Sequence, residues 1–357
     1  MTLKILDCLQ SRMKWTAARN LMVMAGLQPG KGFNKTREKY ANDEETFSAH
    51  EGKLLDSLKE HILCGGKFTK LYPIDEKQRD VVQRKIAALS VHECKAAEIY
   101  PLLFDDEELN EQSSGKIELV AIERNEDGIG AVFSTVFKLK VREDIDFDEF
   151  PDAKEMRQEF DEIIGLKFKP VQLFHVVWMP HHRPQLEIRI DCPRGLKEAE
   201  IHGTHSVLRE MVNDLEIAKI EKPINLFPAV RGFYEDDTDG FVSEITFSTV
   251  TSAIKHEKML RKSVERVDQR QEAYPLAGKE ALDEDIRVFK ITVEWPKEED
   301  EAKFEPSLSL AASAPSGKQG NRDPSISGAL IENCIRAADY EFVIARLGIQ
   351  ARLDQQD

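Results

Sequence analysis

The sequence predicts an α+β fold: a helical N-terminal region, then a mainly antiparallel sheet with helices packed against it. Three observations carry that expectation. Apolar residues recur at helical spacing through most of the first hundred positions, and the period changes at Gly115 to the alternation of strands. The strands are then joined by tight-turn signals such as Asp127-Gly128, which supply the positive φ values short hairpins need. The expected organisation is a helical domain over 1–113, with a basic N-terminus, and a sheet domain over 114–296. A flexible linker or loop over 297–327, rich in Ser, Pro, Ala and Gly, leads to a helix-strand piece over 328–357 that returns to the sheet.

Taken in order, 13–25 reads as a short helix with Trp15, Ala18, Met22 and Ala25 at helical spacing, stopped by Gly26. "FNKTREKYA" (33–41) is a second helix, and the pair resembles a helix-turn-helix no more than any αα-hairpin does. A third helix carries Leu54, Leu55, Leu58, His61 and Ile62 on one side and ends at Gly65-Gly66. The strand "KFTKLYPI" and a long helical segment from Asp75 to about Phe104 follow. "KIELVAIER" and "GIGAVFSTVFKLKV" form a hairpin, and an acidic connection runs from Glu143 to Glu162.

Val171 to Met179 is apolar on both faces, as in a central strand. After it, Leu186, Ile188, Ile190 and Cys192 alternate with Gln185, Glu187, Arg189 and Asp191. "PHHRPQ" between these runs is a hairpin loop bracketed by Pro180 and Pro184, since proline sits at strand ends rather than inside a ladder. A helix near Thr204–Leu215 presents Leu208, Met211, Val212 and Leu215. "INLFPAVRGFYE" and "GFVSEITFSTV" read as strands, 253–273 as a basic amphipathic helix and "DIRVFKITVEW" as a strand. "GALIENCIRAA" reads as a helix and "DYEFVIARL" as a closing strand.

With 41% hydrophobic and 32% charged residues the chain is built to fold. Its five cysteines are scattered and odd in number, which argues against a disulfide framework. No apolar run is long enough for a bilayer, and the first residues lack a leader's apolar core, so the expected location is cytoplasmic with no membrane partner.

No catalytic constellation emerges. "GLQPGKG" (26–32) has three residues, not four, before its Gly-Lys and no preceding strand, so it is an inter-helix turn rather than a phosphate loop. "EDDTDG" (235–240) starts like a calcium loop but has Thr246 where the bidentate Glu belongs, and reads as a hairpin turn. "EGK" at 51–53 and "DAK" at 152–154 lie on no strand, as a metal nuclease would need, and Ser206 lacks a nucleophile elbow. The expectation is therefore no catalytic residue, no metal ligand and no cofactor.

Charge is the remaining signal. The net charge is −15, yet residues 1–40 carry eight Lys/Arg against Asp7 and Glu38, a local +6. The expected function is that of a non-catalytic nucleic-acid-binding or regulatory protein, for DNA or RNA, with phosphate contacts from three places. The first is Arg12, Lys14, Arg19, Lys31, Lys35, Arg37 and Lys39. The second is the loop His181, His182 and Arg183. The third is the 255–270 helix with Lys255, Lys258, Arg261, Lys262 and Arg266. The alternative is a protein–protein adaptor or complex subunit, with a metal-dependent nuclease or phosphodiesterase third.

Overall fold

The computed structural model describes residues 2–112, 115–143, 163–193, 195–248, 253–259, 266–272, 287–299, 302–312 and 325–352. Four helices open the chain: α1 (Thr2–Arg12), α2 (Trp15–Met24), α3 (Phe33–Ala41) and α4 (Glu44–Cys64). The last begins where Asp43 accepts a hydrogen bond from the Thr46 N–H, with Glu44 and Glu45 in the first turn beside the positive helix end. It buries Leu54, Leu58 and Ile62. Then come β1 (Lys67–Pro73) and the helices α5 (Glu76–Ala87), α6 (Lys95–Ile99) and α7 (Asp106–Glu111).

The sheet adds β2 (Glu118–Arg124), β3 (Gly128–Glu143), β4 (Gly165–Pro180), β5 (Gln185–Asp191), β6 (Phe241–Ser248), β7 (Ile254–Lys258) and β8 (Arg287–Glu294). A small separate pair, β9 (Lys297–Glu299) and β10 (Ala302–Phe304), precedes β11 (Ser307–Ala311) and β12 (Ala329–Glu332). The remaining described helices are α8 (Glu198–Asp214), α9 (Phe227–Glu235) and α10 (Ala337–Ala351). The ten-stranded sheet runs β2-β3-β4-β5-β1-β12-β11-β8-β6-β7 and its described pairings are antiparallel, so the fold is α+β.

Alternation along the strands decides which helices cover which face. Val132, Val136, Phe174, Val176 and Trp178 point into the core made with α1–α4, α6 and α7. Ile129, Ala131, Phe133, Ile188 and Ile190 point the other way, onto Val82 and Ile86 of α5 and Leu208 and Val212 of α8. Beyond β1, α9 and α10 cover Leu308, Leu310, Ile291, Val293, Val242 and Ile245. Tyr340 of α10 meets Thr69 of β1 (Oη···Oγ1 2.6 Å), on the side where Arg12 of α1 also reaches the sheet.

Several expected elements take a different form. The long helix over 75–104 is two short ones, α5 and α6: Asp75 caps α5 through the Lys77 N–H, and exposed Ser90–Glu93 give no apolar stripe to continue it. "FPAVRGFYE" is the helix α9, with Pro228 in its first turn and Ala229, Val230 and Phe233 buried. "EDDTDG" therefore links a helix to a strand. The C-terminal elements are exchanged: Ala329–Glu332 is a strand and Ala337–Ala351 a helix, whose buried Tyr340, Val343, Ile344 and Leu347 follow the 3.6 period.

Within 253–273 the described residues hold the strand β7 and non-helical chain in place of the basic helix. β7 is the sheet's last described strand, and its charged side chains suit an edge. β9, β10 and β11 lie where a linker over 297–327 is expected. Thr204 lies inside α8, which starts at Glu198, with the Lys197 N–H donating to Glu200. The acidic connection lies, past Glu143, outside the described residues.

Candidate nucleic-acid interface

The β3–β4 hairpin is far longer than its neighbours. β2 pairs with β3 only from Ile129 to Ser134, and β5 with β4 only from Val176 to Trp178. The register of the two long strands nevertheless continues from Val136↔Gln172 out to Glu143↔Gly165. Past Val136 the hairpin is thus a two-stranded ribbon of roughly 25 Å, at about 3.3 Å per residue.

The sequence of this ribbon is "VFKLKVRE" (136–143) against "GLKFKPVQ" (165–172), five cations against one acid, Glu143 in its last pair, in a chain of net charge −15. Cross-strand pairs share a face, so Lys138, Lys140 and Arg142 stand beside Pro170, Phe168 and Leu166. Lys169 and Lys167 stand on the other face beside Leu139 and Val141. All five cations are exposed, and among the described residues Lys138, Lys140, Arg142 and Lys169 have no carboxylate partner. Phe168 is 67% exposed and Leu166 55%, whereas Leu139 opposite is buried. The face bearing Lys140 and Phe168 continues the one that the N-terminal helices cover further in, through Val132, Val136 and Phe174.

Structure separates the expected cations into free and committed ones. Arg12 is buried: its guanidinium grips Asp191 through two hydrogen bonds of 3.0 and 3.2 Å, both side chains 6% exposed, so it is not a phosphate contact. Arg37 pairs with Asp7 (2.5 Å), Lys35 with Glu38 (2.6 Å), and Lys39 donates to the Gln28 carbonyl. Lys14, Arg19 and Lys31 are exposed with no ion pair among the described residues, which leaves the N-terminal patch much thinner than its +6 suggests.

Arg183 is half-buried between Glu187 (2.9 Å) and Glu341 (2.7 Å), where it braces the hairpin loop on α10. His181 and His182 do lie on the exposed loop between β4 and β5, His181 held by its N–H to the Asp127 carbonyl. Lys258 is bound to Glu244 (2.6 Å) and Arg266 to Glu294 and Glu305, while Lys255 is exposed. Arg261 and Lys262 lie outside the described residues. Among the described residues, most of these cations are therefore committed to carboxylates or carbonyls rather than free for a shared surface.

Two further charge clusters are internally paired. Asp191 accepts from Arg12, from Lys67 Nζ (2.5 Å) and from the Phe174 N–H (2.7 Å). Burial alone would raise its carboxyl, but the two cations outweigh that and hold it well below the usual range. Burial pushes Lys67 down to about 8 against the pull of Asp191. His175 and His61, buried beside the same charges, are pushed down to about 3 and stay neutral.

On β6, Glu244 collects His256 (3.0 Å), Lys258 and Lys290, whose hydrogen bonds outweigh burial and lower it to about 2. A small cleft at this cluster is lined by Glu244, Glu294, Lys258 and Arg266 with Ser243 and Thr292, two acids against two cations. Among the described residues no three His, Cys, Asp or Glu side chains come together to hold a metal ion, and no helix is long and apolar enough to cross a membrane.

Reading single cations along the chain misses the ribbon. The signal is the i, i+2, i+4 alternation of Lys138, Lys140 and Arg142, answered by Lys167 and Lys169 across a long connection. No protein-family model and no curated protein matches this sequence.

Proposed function

We propose that the chain is a nucleic-acid-binding protein that holds its ligand along the β3–β4 ribbon. The observation that carries the reading is the ribbon's composition: Lys138, Lys140, Arg142, Lys167 and Lys169, all exposed, against the single acid Glu143 in its last pair. Cations repeating every second residue along a strand lie about 6.6 Å apart, a row that tracks a phosphate backbone and releases its counterions. The exposed Lys14, Arg19 and Lys31 are further contacts on the helical side.

Two features restrain the affinity. The net charge repels phosphate at long range, and in sequence the connection 143–162 between the two strands adds ten acids against Lys154 and Arg157. The ligand is accordingly confined to the ribbon shaft and bound best at low ionic strength. The rival reading, a protein-docking surface, draws on exposed Leu166 and Phe168.

Binding of a labelled oligonucleotide should weaken steeply with salt, and K138Q/K140Q/R142Q should flatten the log–log slope by roughly two to three units, since each phosphate contact contributes about 0.7–0.9. No retained nucleic acid at low salt, or a slope indifferent to the triple substitution, would reject nucleic acid in favour of a protein partner.

A further inference from the structure

On the reading that the ribbon binds nucleic acid, we infer that it is a platform for single strands, on which Phe168 stacks against an unpaired base. Phe168 stands directly across from Lys140, with Leu166 and Pro170 two residues to either side on its own strand and Lys138 and Arg142 flanking Lys140 on the other. The result is two parallel rows on one exposed face, an apolar one and a cationic one. The rows are separated by the inter-strand distance of about 4.8 Å. A single strand presents the same two rows, bases on one side and phosphates on the other.

A duplex does not fit this face. A two-stranded ribbon can enter a major groove, but it reads base edges there with hydrogen-bonding side chains, and the apolar row of Leu166, Phe168 and Pro170 has none. Bases in a duplex are stacked on one another, so their π-faces are closed to a ring lying on the ribbon. An exposed aromatic beside a line of cations is instead the arrangement that holds unpaired bases with little regard to sequence. The ring has no packing work to give up: it is 67% exposed and belongs to none of the three core clusters.

The test is fluorescence anisotropy of the full chain with labelled oligo-dT, oligo-rU and a DNA duplex of equal length, compared at one low salt concentration and then followed over a salt series. The expected result is tighter binding of the single strands than of the duplex. Phe168→Ala should weaken single-strand binding about tenfold or more, Phe168→Trp should restore it, and the salt slope should not move in either variant. The ratio of oligo-dT to oligo-rU affinity identifies which single strand the platform prefers. Preference for the duplex, or single-strand binding indifferent to Phe168→Ala, would overturn this inference while leaving nucleic-acid binding in place. Absence of binding to all three probes would instead reject the underlying reading.

Discussion

A buried histidine beside a buried ion cluster carries a pH signature. His175 accepts the Asp191 N–H at Nδ1 (3.2 Å), a role open to the neutral ring and closed to the imidazolium. His61 lies in the same cluster, with Arg12, Asp191 and Lys67 as its charged neighbours. Burial pushes both rings down to about 3, whereas in the unfolded chain they titrate near 6.5. Between those values the unfolded chain binds more protons than the folded one, so stability is fully present above about pH 6.5 and is lost as pH falls toward 3. Two such groups give a slope of up to about 2.7 kcal/mol per pH unit. Asp191 and Glu244, held low by their cations, steepen the loss below about pH 4.5. Urea midpoints measured from pH 7.5 to pH 4.5, below most of the Lys67 titration, should fall most steeply below pH 6.5. The His175→Gln protein should show a fall shallower by about one proton, and a midpoint constant down to pH 5 would mean that these rings are protonated in the fold.

At the scale of elements, the alternation of β4 and β5 and the Pro180–Pro184 bracket were legible because a strand with a buried face leaves a strict two-residue pattern, and the observed hairpin follows it. The 253–273 stretch was not. Lys255, Lys258 and Lys262 are at helical spacing, but the chain at 254–258 answers to Glu244 on its neighbour, a partner invisible along one segment. The C-terminal helix hid behind Phe342, Val343 and Ile344, a β-favouring triplet overridden by packing of Tyr340, Val343 and Leu347 on the sheet. Of the candidate site, the cations at Lys14, Arg19 and Lys31 were legible, whereas the ribbon emerges only once its two arms are paired across the acidic connection. The same pairing makes Gly130 specific. It sits opposite Trp178, whose ring lies so close that a Cβ would fall 2.4 Å from Cε3 and 2.9 Å from the Val177 carbonyl. Gly130→Ala should cost roughly 1–3 kcal/mol in chemical denaturation by displacing a buried tryptophan, with a matching change in its fluorescence. A neutral substitution would place the ring elsewhere.

For the whole molecule the decisive feature is the place of β1. A change of period at Gly115 suggests a boundary there, yet β1 lies in mid-sheet, paired with β5 from Lys67↔Asp191 to Pro73↔Gln185 and with β12 from Lys67↔Ile331 to Thr69↔Ala329. The core likewise joins residues from both sides of that boundary: Leu54, Leu58 and Phe47 pack with Val132, Val136, Phe174, Val176 and Trp178. Removing 1–113 would open two strand edges, leave Asp191 without Arg12 and Lys67, and bare those five apolar side chains. At roughly 1.5–3 kcal/mol each, their burial alone matches the whole net stability of a typical domain, about 5–15 kcal/mol. The fragment 114–357 expressed alone should therefore aggregate or bind a hydrophobic dye strongly. Co-expression with 1–113 as a separate chain should recover a soluble complex, because the break falls between α7 and β2 rather than inside a strand. A monomeric fragment with a cooperative unfolding transition and little dye binding would show that the sheet closes without β1, and that the helical region is an appendage rather than half of one core.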